Sequence, residues 1–149
     1  MTIEPATDAD CEWCARLMAS TDPWITLGRS YEQCLARCRQ PELMLHVIRV
    51  SEQPRGFVLI HPTGLAGSPY IATIAISEES RGQGLGAALL DFAEQYFPEA
   101  RHIFLCVSSF NVAARRLYER HGYSQAGELK DYVIAGASEI LMRKRLCAT

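Results

Sequence analysis

The chain has 149 residues, the length of about one domain, and its 48% hydrophobic and 21% charged residues are the balance of a folded globular protein. A formal charge of -2 excludes a general electrostatic attraction to nucleic acid or to an anionic membrane, so neither is an expected partner. The basic runs Arg115-Arg116 and Arg143-Lys144-Arg145 are short and read as solvated faces.

Thr2–Ala6 reads as a short strand. A helix follows from Thr7 or Asp8, with Thr7 and Asp10 at capping-box spacing and an apolar side of Trp13, Cys14, Leu17 and Met18. Pro23 and Gly28 punctuate a loop from Thr21 to Arg29. Ser30 then caps a second helix, with Gln33 three residues on and Tyr31, Cys34, Leu35 and Cys38 on its apolar stripe. At Leu43 the period changes. Leu43–Val50 and Gly56–His61 are strands joined by a turn at Ser51–Arg55, Pro62–Pro69 is a loop, and Tyr70–Ile76 is a third strand. A glycine-rich turn at Arg81–Gly86 opens a helix with Leu85, Leu89, Phe92, Ala93 and Tyr96 on its apolar face, stopped by Pro98. Ile103–Val107 is a strand. Asn111 caps a helix that presents Ala114, Leu117, Tyr118 and His121 on one side and stops at Gly122. Tyr123–Leu129 and Ser138–Leu146 close the chain as an antiparallel pair.

The order is βααβββαβαββ in one domain over residues 1–149. The helix between Tyr70–Ile76 and Ile103–Val107 makes those strands parallel if they share a sheet. The fold class is therefore α/β (α+β): a mixed, mostly antiparallel twisted sheet with helices on both faces.

Arg81-Gly82-Gln83-Gly84-Leu85-Gly86 is the sharpest local signal. The first turn of a helix carries backbone N–H groups without internal partners, and the helix dipole adds partial positive charge there. Glycines let an anion approach those amides, which makes a cradle for phosphate or pyrophosphate. A P-loop would need Lys and Ser/Thr after the last glycine, where Ala87-Ala88 stands. Gly82, Gly84 and Ala87 do fit a dinucleotide fingerprint, but that motif belongs to a first strand–helix unit followed by an acid about 20 residues on. Here the next strand ends at Cys106-Val107-Ser108, with no acid.

Three segments together resemble the GNAT superfamily of acyl-CoA-dependent N-acetyltransferases. Ile74-Ala75-Ile76 leads into Arg81-Gly82-Gln83-Gly84-Leu85-Gly86, which fits the pattern Arg/Gln-x-x-Gly-x-Gly/Ala. Leu105-Cys106-Val107 leads into Asn111-Val112-Ala113-Ala114. Leu117-Tyr118-Glu119-Arg120-His121-Gly122-Tyr123 resembles Leu-Tyr-x-x-x-Gly-Phe, with Tyr for Phe. The motifs cover Ile74 to Tyr123.

The resemblance implies acetyl-CoA as co-substrate, with no metal expected, and transfer of the acetyl group to an amine. It places the pyrophosphate on the backbone amides of Arg81, Gly82, Gln83, Gly84, Leu85, Gly86 and Ala87. The pantetheine arm would pair with the strand at Ile74, Ala75 and Ile76 and lie near Asn111 and Ala114. Tyr118 is the implied general acid for the departing thiolate, and the N–H of Ile76 is the candidate donor to the developing oxyanion. The base stays open. Family members acting on protein N-termini carry Glu on the strand that here holds Cys106. Glu78, Glu79, Asp131, Glu139 and a water chain are the alternatives. Trp24 and Arg29 in the first loop, with Asp131 near the closing strands, are the candidate acceptor residues. A small-molecule amine or an amino acid is favoured over a protein tail, because no acidic run stands ready for a basic peptide. A non-catalytic acyl-CoA sensor and a dinucleotide-binding fold are the rival readings. Homodimers are common among look-alikes, so one is an expectation.

Met1–Pro5 lacks the basic and apolar regions of a signal peptide, and no apolar run approaches the roughly 20 residues of a membrane span. The expectation is a cytoplasmic protein whose six cysteines are reduced. Cys11-x-x-Cys14 and Cys34-x-x-x-Cys38 suggest a zinc spacing, but both pairs fall in helical patterns, where a thiol packs as a small hydrophobe. Cys106 as a nucleophile would need a base, and only His121 offers one.

Overall fold

A computed structural model describes residues 1–146. Seven strands and four helices follow in the order β1 (Thr2–Pro5), α1 (Asp8–Ala19), α2 (Tyr31–Cys38), β2 (Met44–Val50), β3 (Gln53–Leu65), β4 (Ser68–Ile76), α3 (Leu85–Gln95), β5 (His102–Ser108), α4 (Val112–Arg120), β6 (Ser124–Lys130) and β7 (Ser138–Arg145). This is the predicted order, with a short 3-10 turn added at Glu78–Ser80. The sheet runs β1-β2-β3-β4-β5-β7-β6, and all pairings are antiparallel except β4 with β5.

Local chemistry sets the helix starts. Thr7 and Asp10 form a reciprocal capping box at α1, and Ser30 and Gln33 form another at α2. Asp10 also receives Arg49 from β2 at 2.6 Å, and Arg49 reaches Glu4 of β1 at 2.6 Å. One guanidinium thus ties the first helix to the sheet edge. Strand alternation then splits the core in two. Val47 and Phe57 pack with Cys14, Ala15, Met18, Cys34 and Cys38 under α1 and α2. Ile48, Val58 and Ile60 face the other way, onto Leu85, Leu89 and Leu90 of α3. Helices therefore cover both faces.

One irregularity matters for the site. Leu59 pairs with Thr73, but Ile60 pairs with Ile71, so Ala72 is an extra residue in β4. A bulge bends its strand and raises the local twist. It also resets the alternation, which puts Ile71 and Ile74 on the same face although they are three apart. Parallel pairing of β4 with β5 covers only Tyr70↔Phe104 and Ile71↔Leu105 and stops at the bulge. Beyond it β5 stays with β7 as far as Ser108↔Glu139, while β4 stays with β3. The sheet opens between β4 and β5.

Three expectations need correction. The turn expected at Ser51–Arg55 is only Ser51 (φ 52) and Glu52 (φ 65), and β3 starts at Gln53. The stretch expected as a loop at Pro62–Pro69 is largely a hairpin: β3 continues to Leu65 and β4 begins at Ser68. Ala66 (φ 50) and Gly67 (φ 84) make its two-residue turn. Pro62 is tolerated because β2 ends its pairing at Ile60, so the missing N–H breaks no bond on that side. In α3 the buried residues are Leu85, Leu89, Leu90 and Ala93, while Tyr96 is 49% exposed. Tyr96 follows the helix and packs on the His46 ring at 5.7 Å.

His46 gives the fold a pH dependence. It is buried, 4.7 Å from the Phe92 ring, and its Nδ1 has no hydrogen-bond partner among the described residues. Burial holds its pKa below the ordinary value. The unfolded chain therefore takes up a proton that the native state resists. This contribution to stability is complete above about pH 6.5 and is lost as pH falls through that value toward the depressed native one. His46→Phe should flatten the slope of thermal stability between about pH 6.5 and 5. An unchanged slope in that variant would assign the effect to other groups.

Candidate active site

The opening between β4 and β5 belongs to a cavity of about 1270 Å³ that runs from the glycine-rich turn to the segment joining α1 and α2. Its wall includes Ile74, Ala75, Ile76, Asn111, Ala114 and Tyr118.

Arg81 N donates to Glu78 O at 3.3 Å, and the later donors of the turn stay free. Gly84 is the N-cap of α3 in the left-handed region (φ 79) and offers no side-chain hydrogen bond. Gly82 is also left-handed (φ 77). The first amide of α3 to find a carbonyl is Ala88, onto Gly84 at 3.1 Å, so the amides before it lack helical partners. Gly86 is needed for a different reason: a Cβ there would lie 3.0 Å from Leu117 Cδ2, so its absence lets α4 close against α3. Gln83 is the one residue of Arg81–Ala87 outside the cavity wall.

On its open side the β4 backbone pairs with no strand, and Ile76 O accepts from Arg81 Nε at 3.4 Å. Ser77 N donates to Arg55 O at 2.8 Å. By the alternation of an antiparallel ladder, Ser77 and Ala75 turn their backbone groups to β3. Ile74 and Ile76 turn theirs toward β5, where pairing has already ended. An extended ligand can add there as a strand. The donor set of turn and strand therefore fits an extended, phosphate-bearing group such as coenzyme A.

Asn111 caps α4 by accepting from Ala114 N at 3.3 Å, which leaves its amide NH2 uncommitted by that cap. Tyr118 is 6% exposed, packs edge-on against Tyr123 at 6.3 Å, and its hydroxyl has no hydrogen-bond partner among the described residues. Burial raises the Tyr118 pKa well above its ordinary value, so the hydroxyl keeps its proton and can act as a donor.

Of the four candidate bases Glu78, Glu79, Asp131 and Glu139, only Glu139 lines the cavity. Its register partner on β5 is Ser108, whose hydroxyl donates to it at 2.7 Å. Asp131 shapes the β6–β7 turn instead. It stands in the left-handed region (φ 54), accepts from Gly136 N at 2.7 Å and lies outside the cavity wall. Trp24 and Arg29 do reach the wall, and Trp24 also packs on the core under α1 and α2.

Two wall residues escaped sequence reasoning. Tyr70 and Arg37 lie at the end of the cavity nearest α2. Burial pushes the Tyr70 hydroxyl well up, the neighbouring Cys106 adds to this, and the nearby Arg37 charge pulls the other way. Burial likewise raises the Cys106 thiol, which stays protonated. No local motif marks Tyr70 or Arg37; only the path of β4 past α2 brings them together.

The helical cysteines Cys14, Cys34 and Cys38 are buried core residues, Cys11 is half-buried, and Cys147 lies outside the described residues. Among the described residues, one cluster has ligand spacing suited to a metal: Asp91, Glu94 and His121. It lies away from the cavity and is tied by Lys144 to Glu94 at 2.8 Å and by Tyr123 to Glu94 at 3.0 Å. His121, the one candidate base for Cys106, is thus held elsewhere, 2.8 Å from Asp91.

The family model described as the acetyltransferase (GNAT) family matches residues 10–123. The chain belongs to the GNAT family. An uncharacterized N-acetyltransferase of Methanocaldococcus jannaschii is 39% identical over 82 residues, which are 53% of this GNAT chain and 53% of that protein. The chain spans about half the length of the curated relatives it matches. Among solved structures, a GNAT-family protein of Desulfovibrio desulfuricans shares the fold at a TM-score of 0.82 and 20% identity, over 98% of this chain and 99% of that one. A streptothricin acetyltransferase of Bacillus anthracis, solved with acetyl coenzyme A, has a TM-score of 0.65 at 22% identity, over 72% of this chain and 64% of that one. Among the described residues, no helix is long and apolar enough to cross a membrane.

Proposed function

We propose that the 149 residues act as one catalytic domain that moves an acetyl group from acetyl-CoA to a primary amine by direct attack, with a small molecule or an amino acid as acceptor. The observation that carries this reading is the crevice between β4 and β5. It joins the free amides of the glycine turn, the outward backbone of Ile74 and Ile76, and the side chains of Tyr118 and Glu139 in one cavity. The structural neighbour solved with acetyl coenzyme A adds support.

When bound, acetyl-CoA supplies a thioester carbonyl carbon and a thiol leaving group. The amides of Gly82 and of Gly84–Ala87 hold the pyrophosphate. Glu139 takes a proton from the acceptor ammonium, whose ordinary pKa near ~10.4 leaves it charged at neutral pH. The amine nitrogen bonds to the carbonyl carbon, and the carbon–sulfur bond breaks. Ile76 N–H donates to the oxygen that gains charge. Tyr118 gives its proton to the departing sulfur, and its phenolate takes the second proton that the nitrogen sheds on becoming an amide. A protonated, half-buried Cys106 is a poor nucleophile, which favours direct attack over an acyl-enzyme.

Thermal unfolding with and without acetyl-CoA tests the reading, with a nicotinamide dinucleotide as control. At 100 times its Kd the ligand should stabilise the native state by about 2.7 kcal/mol, while the dinucleotide should not. Thiol release on adding amines then separates an enzyme from an acyl-CoA sensor. No shift at saturating acetyl-CoA removes the basis of the reading.

A further inference from the structure

The acceptor end of the cavity has an electrostatic character of its own. The glycine turn, α3 and α4 stand on one side of the sheet, while α2 and the loop before it stand on the other. Arg29 from that loop and Arg37 from α2 both line the cavity from this second side, opposite the glycine turn and α3. Both are exposed, and neither makes an ion pair among the described residues. The acids at the cavity are already engaged by neutral donors: Glu139 by Ser108 at 2.7 Å, Glu128 by Ser138 at 2.6 Å and Asp22 by Thr26 at 2.6 Å. Arg37, Tyr70 and Cys106 line the cavity together with Glu139, and the Arg37 charge acts on the Tyr70 hydroxyl. Two unpaired guanidiniums thus line the same cavity as Glu139.

We infer that Arg37, assisted by Arg29, binds an anionic group on the acceptor, so the preferred acceptor class is an amine that also carries a carboxylate. This rests on the acetyltransferase reading above and deepens it. A guanidinium presents a planar fork that matches a carboxylate through two parallel hydrogen bonds. A molecule with both groups would be oriented from two ends: its carboxylate on Arg37 and its ammonium toward Glu139. Such two-point binding selects a zwitterion over a plain amine. It also opposes a lysine-rich peptide, whose added cations would meet two unpaired arginines.

The test uses the intact chain, acetyl-CoA, and matched pairs of amino acids and their α-amides. Rates of thiol release are compared on the concentration of the ammonium form, the form that meets Glu139, at a pH where both members of each pair are mostly protonated. The amino acids should show KM values about 10- to 100-fold below those of the amides, the range expected for a charged hydrogen-bonded pair. R37Q should raise KM for the amino acids by a similar factor and leave KM for the amides, and kcat for both, little changed. R37K, which keeps the charge but loses the fork, should fall between. R29Q gives a weaker form of the same pattern.

The stability shift with acetyl-CoA separates the possible failures. If it is present in wild type and R37Q, but amides are used as well as acids, the acceptor proposal is overturned. Equal losses for both members of each pair in R37Q overturn it too, as does a panel in which no carboxylated amine is acetylated. If the shift is absent from the wild type, the acetyltransferase reading and this proposal fall together.

Discussion

Glu139→Gln should lower kcat about 100- to 10,000-fold at neutral pH, the usual worth of a positioned general base. The substitution is nearly isosteric and can keep the contact with Ser108, so the stability of the fold and the acetyl-CoA shift should hold. The pH profile identifies the role. Without a base the enzyme depends on the fraction of amine that is already deprotonated, so its rate should climb with pH toward the acceptor's own pKa, from about 8 for an α-amino group to about 10.4 for a lysine-like amine. A base acting in the wild type would instead give a plateau at lower pH. If Glu139→Gln keeps the wild-type rate and profile, the proton leaves by another route, and an ordered water chain becomes the leading reading.

For Tyr118→Phe the expected loss in kcat is about 100-fold, at the low end for general-acid catalysis. The modest size follows from the leaving group: a thiol with pKa near ~8.5 departs more readily than an alcohol or an amine. Burial of Tyr118 at 6% exposure means the ring itself packs the core, so Phe keeps that packing. The lost hydroxyl has no partner among the described residues, so stability should change little. Acetyl-CoA should still raise the unfolding temperature of this variant. Full activity in Tyr118→Phe would demote the side chain to a core aromatic, while a non-catalytic sensor would bind acyl-CoA in both forms and release no thiol in either.

These losses fall on residues with very different visibility in the sequence. Tyr118 stands in a local pattern with Asn111 and Gly122, so the resemblance to GNAT enzymes reaches it directly. Glu139 looks like any other exposed acid on a strand; it is one of four candidate acids, and only its register opposite Ser108 puts it in the crevice. Asp131 looks no different in the sequence, and the structure gives it to a turn instead. Arg37 sits on a helix whose polar face is ordinary, and its place at the cavity depends on where α2 docks.

The sequence by itself determined the order of elements, the caps of α1, α2 and α4, and the left-handed glycines that open α3. Each of these is a short-range effect, in which a side chain satisfies a backbone group three residues away or a backbone dihedral admits only glycine comfortably. Tertiary structure decided where the sheet opens. The extra residue Ala72 has no compositional mark, because a bulge is a mismatch between two strands and not a property of one. That mismatch bends β4 from β5 after Ile71, frees the backbone of Ile74 and Ile76, and brings Glu139, Tyr70 and Arg37 to the same opening. Such a juxtaposition depends on pairings among residues far apart in the chain, which local propensity does not encode.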